Sequence, residues 1–114
     1  MNVSLNGFAE EIITLKIGES AARGAPVAIS GSFTAAPCQA DETFAGFLSA
    51  APEDGYAGIQ IKGFVKAPYS GSAPALGYTA LAADGNGNVK TASSGPLRLV
   101  LEVDTAQKMV GFLL

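Results

Sequence analysis

Chemistry in a small protein needs a base, a nucleophile or a cluster of metal ligands, and this sequence is poor in all three. None of its 114 residues is histidine. That removes the commonest general base, the histidine-dependent triads and most zinc sites. Cys38 is the single cysteine and follows Pro37 in an expected loop. Its thiol would have no imidazole to activate it. Two adjacent carboxylate pairs, Asp41-Glu42 and Glu53-Asp54, flank one expected strand. A glycosidase needs two carboxylates facing each other across a cleft. These pairs lie beside Ala, Pro and Gly and read as solvated turn acids. Asp84-Gly85-Asn86-Gly87-Asn88 imitates the start of a calcium loop, with oxygen side chains at alternate positions. Val89 then stands where such a loop needs glycine, and Gly95 where it needs the closing glutamate. The same Asn-Gly steps suit the positive φ of a tight hairpin. No GxxxxGK[ST] occurs, and no GxGxxG opens a helix, so nucleotide cradling is not expected. The expectation is a non-enzymatic protein with no cofactor and no metal.

The elements that would hold these residues are short. Gly numbers 14 and Pro 6, set between brief apolar runs, and no helical pattern persists between them. Such punctuation predicts an all-β fold, a small antiparallel barrel or sandwich of about 8–9 strands. Residues 58–67 give the clearest strand. Ile59, Ile61, Val65 and Ala67 face one way; Gln60, Lys62 and Lys66 face the other, joined by Phe64. Gly63 marks a bend or bulge within it. Near the C-terminus, Leu97, Leu99, Leu101 and Val103 form an inward row. Arg98, Val100, Glu102 and Asp104 form the outward one. Residues 104–108 then turn, and Val110, Phe112 and Leu114 return. Weaker strands are expected at 12–17, 26–30, 32–36, 44–50, 78–82 and 88–91. An internal echo links the two halves. Gly24-Ala25-Pro26-Val27 leads through a glycine turn to Phe33-Thr34-Ala35-Ala36. Gly77-Tyr78-Thr79-Ala80 leads through another to Val89-Lys90-Thr91-Ala92. Two similar hairpin units therefore bracket the central strand, with residues 68–74 as a loop joining the halves. Residues 1–19 are expected to form an N-terminal arm and first strand, and residues 20–114 a single β-barrel domain.

Composition narrows the partners. Hydrophobic residues make up 48% and charged residues 15%, with a net charge of −3. Disorder is disfavoured by the first value, and nucleic-acid binding by the lack of any basic run. The same lack disfavours anionic membrane surfaces, and no apolar stretch reaches the roughly 18 residues that span a bilayer. Residues 1–11 carry Glu10 and Glu11 and no basic leader, so synthesis without export is expected.

The order of motifs resembles a known family. A GxPV hairpin (Gly24-Ala25-Pro26-Val27) is followed by Phe44-Ala45-Gly46-Phe47. Then come Lys62-Gly63-Phe64-Val65, Gly77-Tyr78 with a second hairpin, and a closing strand pair. Over residues 20–114 this resembles the small β-barrel capsid cement, or head decoration, proteins of tailed bacteriophages. The resemblance implies a phage or prophage structural protein that binds and stabilises an assembled capsid surface. Its partner would be the major capsid protein, and it would act as a homo-oligomer, often a trimer. Its place would be the virion capsid surface, and the host cytoplasm during assembly. The alternative is a small bacterial β-barrel module that binds carbohydrate or peptide through Tyr56, Tyr69 and Tyr78.

Three features are candidate interface. The loop of residues 68–74 presents Tyr69 between Pro68 and Pro74, whose rigidity lowers the cost of ordering it. The N-terminal arm carries Phe8. The outward rows hold Phe64 and Val100 among polar neighbours.

Overall fold

A computed structural model describes residues 10–18 and 21–114. It holds ten strands: β1 (Glu11–Lys16), β2 (Pro26–Gly31), β3 (Thr34–Pro37), β4 (Gly46–Leu48), β5 (Tyr56–Lys62), β6 (Phe64–Pro68), β7 (Gly77–Ala83), β8 (Val89–Thr91), β9 (Leu97–Asp104) and β10 (Met109–Leu113). No helix occurs among the described residues, so the all-β expectation holds. Prolines stand at strand ends, at the start of β2 and the last residues of β3 and β6, where a missing N–H costs the ladder least.

The strands form two groups of five. The first is a closed barrel in the order β1-β3-β2-β4-β5; the second is a sheet in the order β6-β10-β9-β7-β8. In the barrel, β1 pairs antiparallel with β5 and closes in parallel on β3 through Lys16 and Thr34. In the second sheet, β10 pairs antiparallel with β6. A parallel bridge from Tyr69, just beyond β6, to Val89 of β8 then links the sheet's two ends. Replacing β1–β5 by β6–β10 in turn converts one cyclic order into the other. The strand starts agree: Glu11 and Phe64 stand as far apart as Tyr56 and Met109. The echo between hairpins is therefore the visible part of a repeat that covers both halves.

This repeat corrects the reading of residues 58–67 as one central strand. The run breaks at Gly63, whose φ is 102°. β5 ends at Lys62 in the barrel, and β6 begins at Phe64 in the other sheet. Side-chain alternation survives the break, so periodicity alone could not reveal it. Only glycine takes that φ without strain. Residues 68–74 therefore do not join the halves; they lie within the second half, between β6 and β7.

Each half has its own apolar centre. The barrel encloses Leu15, Ile17, Val27, Ala35, Leu48 and Ile59. The second sheet curls around Val65, Ala67, Leu81, Val89, Val100, Val110 and Phe112, and the first half contributes Ala28, Cys38, Phe44 and Phe47 to the same cluster. Neighbours in one strand thus serve different cores: Val27 points into the barrel and Ala28 toward the other half, as do Leu48 and Phe47. The rings of Phe44, Phe47 and Phe112 meet with centroids 5.0–5.8 Å apart in tilted arrangements, the geometry that aromatic quadrupoles favour.

Two substitutions test this architecture. Phe112→Ala, at a side chain with no exposure, is expected to lower stability by about 3–5 kcal/mol. Gly63→Ala should lose at least ~1 kcal/mol through backbone strain alone. Urea unfolding measures both. A Gly63→Ala protein as stable as the native one would show that the joint between halves does not need its left-handed residue.

Candidate interaction surface

The carboxylates and the cysteine singled out in the sequence make structural contacts. Cys38 is buried, and its thiol is pushed up to about 12 by that burial and by the charge of Glu42. It stays protonated at neutral pH and serves as a small apolar group. Asp41 pairs with Lys90 of β8, its N–H donates to the Ala83 carbonyl, and Ala83 N–H donates to that of Glu42. Glu42 Oε1 accepts the Gln39 N–H at 2.9 Å. This carboxylate pair therefore clips the β3–β4 loop onto the second half. Glu53 and Tyr56 form an isolated bridge across a tight turn, with Asp54 inside it at φ 55°.

The Asp84 loop is a hairpin turn organised by one carboxylate. Oδ1 accepts the N–H groups of Asn86 and Asn88 at 2.7 and 3.0 Å; Oδ2 accepts Ser70 Oγ at 2.8 Å and Asn88 Nδ2 at 3.1 Å. Partial burial disfavours the charge, but these donors outweigh it and hold the pKa at about 2. The oxygens that a cation would use are already engaged by the protein's own donors. Among the described residues, no three His, Cys, Asp or Glu side chains gather into a metal-binding group.

The candidate interface residues separate. Tyr69 and Pro74 are buried, and only Pro68 of that trio is exposed. The loop cannot present Tyr69, because its N–H donates to Lys108 and Ser70 N–H donates to Val89, drawing the ring into the core of the second sheet. Phe8 lies outside the described residues. Phe64 is half-buried on the outer face, with its Cζ 2.6 Å from where a Cβ on Gly111 would stand. That glycine makes room for the ring.

Val100 is only 2% exposed and faces inward, against expectation. The cause is a β-bulge. Gly111 of β10 pairs with Glu102, and the next residue, Phe112, pairs with Val100. Leu101 is the extra residue, and it turns outward beside Glu102. One inserted residue flips every side chain that precedes it in the strand. The inner row becomes Arg98, Val100 and Val103, while Leu97, Leu99 and Leu101 move to the outer side.

Two consequences follow from the bulge. Arg98 is carried toward the core, where its guanidinium lies 5.1 Å from the Phe44 ring centroid and Nη2 donates to the Phe44 carbonyl at 3.2 Å. Burial lowers its pKa, and Nε is left buried without an acceptor. Strict alternation places Arg98 in water, and no local feature of the sequence signals its inward position. Meanwhile the outer face of the second sheet gains an apolar row. Phe64 pairs with Leu113, Leu113 with Leu99, and Leu99 with Tyr78. Tyr78 is 72% exposed.

A second apolar feature sits on the barrel. The β2–β3 turn is Ser32-Phe33, between Gly31 and Thr34, which pair. Phe33 has φ 51° and is 81% exposed, with Ile29 exposed nearby in β2. Its carbonyl accepts the Lys16 N–H at 3.0 Å, so β1 holds the turn in place. The three tyrosines share no surface: Tyr69 is interior, Tyr56 is on the barrel and Tyr78 on the second sheet.

Two grooves lie among the described residues. One of about 270 Å³ lies at the seam and is lined by Glu10, Arg23, Phe47, Gln60 and Lys66 among others. The other, of about 390 Å³, is lined by hydroxyls of Thr43, Thr91, Ser93 and Ser94 beside the Asp41–Lys90 pair. No family model matches the chain, and no curated protein matches it at a significant level.

Two measurements check these assignments. A carboxylate with a depressed pKa stabilises the fold above the ordinary range near pH 4, and that stability is lost as pH falls toward 2. Asp84→Ala should cost about 1–2 kcal/mol at pH 7 and show a shallower loss between pH 4 and 2 in denaturant titrations. For Arg98, the Met variant keeps the stem and drops the buried charge, so it should melt near the native temperature. Arg98→Ala should melt lower, having lost about 2 kcal/mol of stability.

Proposed function

We propose that this chain is a non-enzymatic structural protein that binds and stabilises the surface of an assembled phage or prophage capsid. The observation that carries a contact role is Phe33. A bulky aromatic in the left-handed region, with its ring in water, costs the fold of order 1–2 kcal/mol. The Lys16 N–H bond to its carbonyl holds the backbone of the turn, but among the described residues the ring itself covers no core. A contact with another molecule would repay it, and aromatic anchors of this kind dominate protein interfaces.

The resemblance of residues 20–114 to capsid cement proteins supplies the partner, the major capsid protein on an expanded head. The build of a barrel joined to a second sheet supports a contact role. The halves are tied by an aromatic cluster and by the carboxylate clip.

Co-sedimentation with expanded heads from the phage or prophage that encodes the chain tests the reading. The protein should pellet with heads and remain in solution with free capsid subunits. Phe33→Gly should raise the melting temperature by relieving strain and weaken co-sedimentation at least tenfold. No pelleting of the native protein at saturating heads refutes the capsid reading; equal pelleting of Phe33→Gly refutes the role of the tip.

A further inference from the structure

We infer that the outer face of β7, β9 and β10 is a self-association surface, which pairs two-fold with the same face of a second copy of this chain. The inference goes beyond capsid binding and stands without it, because it concerns the purified protein alone.

The repeat supplies the first argument. Leu99 holds in the second half the position that Phe47 holds in the first. Phe47 pairs with Pro26 of β2 and Gln60 of β5; Leu99 pairs with Tyr78 of β7 and Leu113 of β10. Both point away from the interior of their own half. Phe47 is covered, because the second half packs over it. Around Leu99 the equivalent face is open: Tyr78 is 72%, Leu76 68%, Leu97 62% and Leu101 42% exposed. Among the described residues, the fold thus builds the same kind of outward apolar face twice and covers it once.

Area supplies the second argument. A standard interface takes about 800 Å² from each partner, of which roughly 60% is apolar. That is on the order of 500 Å². One exposed tyrosine, the three exposed leucines and the half-buried members of the row offer a similar area. The size exceeds what single scattered surface hydrophobes present and reaches the range of functional patches.

Charge and shape make a second copy the fitting occupant. No charged side chain interrupts the row from Phe64 to Tyr78. Its border carries Lys66 and Glu102, which neutralise each other at 3.7 Å. Two such faces meet without net charge at the edge. A sheet face can pack on its two-fold copy as the layers of a sandwich do, with side chains interdigitating at about 10 Å between sheets. Two-fold pairing also satisfies the patch with itself, needing no second complementary surface.

Sedimentation velocity on the purified full chain, over a range of concentrations and in high salt, tests the inference. The native protein should sediment at twice the chain mass, and salt should not dissociate it. The double variant Tyr78→Glu/Leu97→Lys should sediment at the chain mass with unchanged circular dichroism. Should that variant fail to fold, Tyr78→Glu alone carries the same expectation. Phe33→Ser, on the barrel, should leave the mass at two chains. A native protein at one chain mass throughout, a mass of three chains, or a folded Tyr78→Glu variant still at two chain masses would each overturn the proposal.

Discussion

The contact among Phe44, Phe47 and Phe112 is what makes one molecule of two small halves. Each half alone has too little interior to be secure. About fifty residues in five short strands bury a modest fraction of their surface. The ends of the second sheet are joined by a single-residue bridge between Tyr69 and Val89 and the adjoining Ser70–Val89 bond, and its interior is completed by rings from the other half. Phe47 reaches across from β4 and Phe44 from the loop before it. The loop is held by backbone bonds to the end of β7, by the Asp41–Lys90 pair and by Arg98. Removing the rings would open the second core and expose the barrel's outer face together.

The same constraint explains the odd placement of Arg98. A guanidinium near a core is costly unless its charge is shared. Here the ring face of Phe44 and the carbonyl of the same residue receive it. The arginine therefore fixes both the ring and the backbone of the residue on which the junction depends. The bulge at Leu101 brings Arg98 to that position, and it also turns three leucines to the surface. One backbone irregularity thus couples internal cohesion to external stickiness. Phe33 shows the same coupling at the barrel, where the turn residue whose carbonyl accepts a bond from β1 also holds its aromatic ring in water.

Residue type and spacing alone determined much of this protein. Fourteen glycines and six prolines between short apolar runs dictated an all-β fold, because neither a long helix nor a long strand survives that punctuation. The lack of histidine limited the available chemistry before any geometry was known. The matching order of Gly24–Ala36 and Gly77–Ala92 revealed part of the repeat, since hairpins leave a local signature in glycine and β-branched residues. The Asp84 loop was legible as a hairpin for the same local reason.

What the tertiary structure decided is non-local. Alternation carried straight through Gly63, so only the pairing partners of each side showed that two strands, in two sheets, meet there. Alternation also sent Val100 out and Leu97, Leu99 and Leu101 in, and the bulge reversed them. A bulge is defined by a mismatch between two strands, and one strand's residues do not encode it. Tyr69 lay between prolines in an apparent display loop, yet bonds to Lys108 and Val89, distant in sequence, pulled it inside. Which faces are left apolar and uncovered was decided by strand pairing, because each residue's side is set by a partner it meets only in the folded protein.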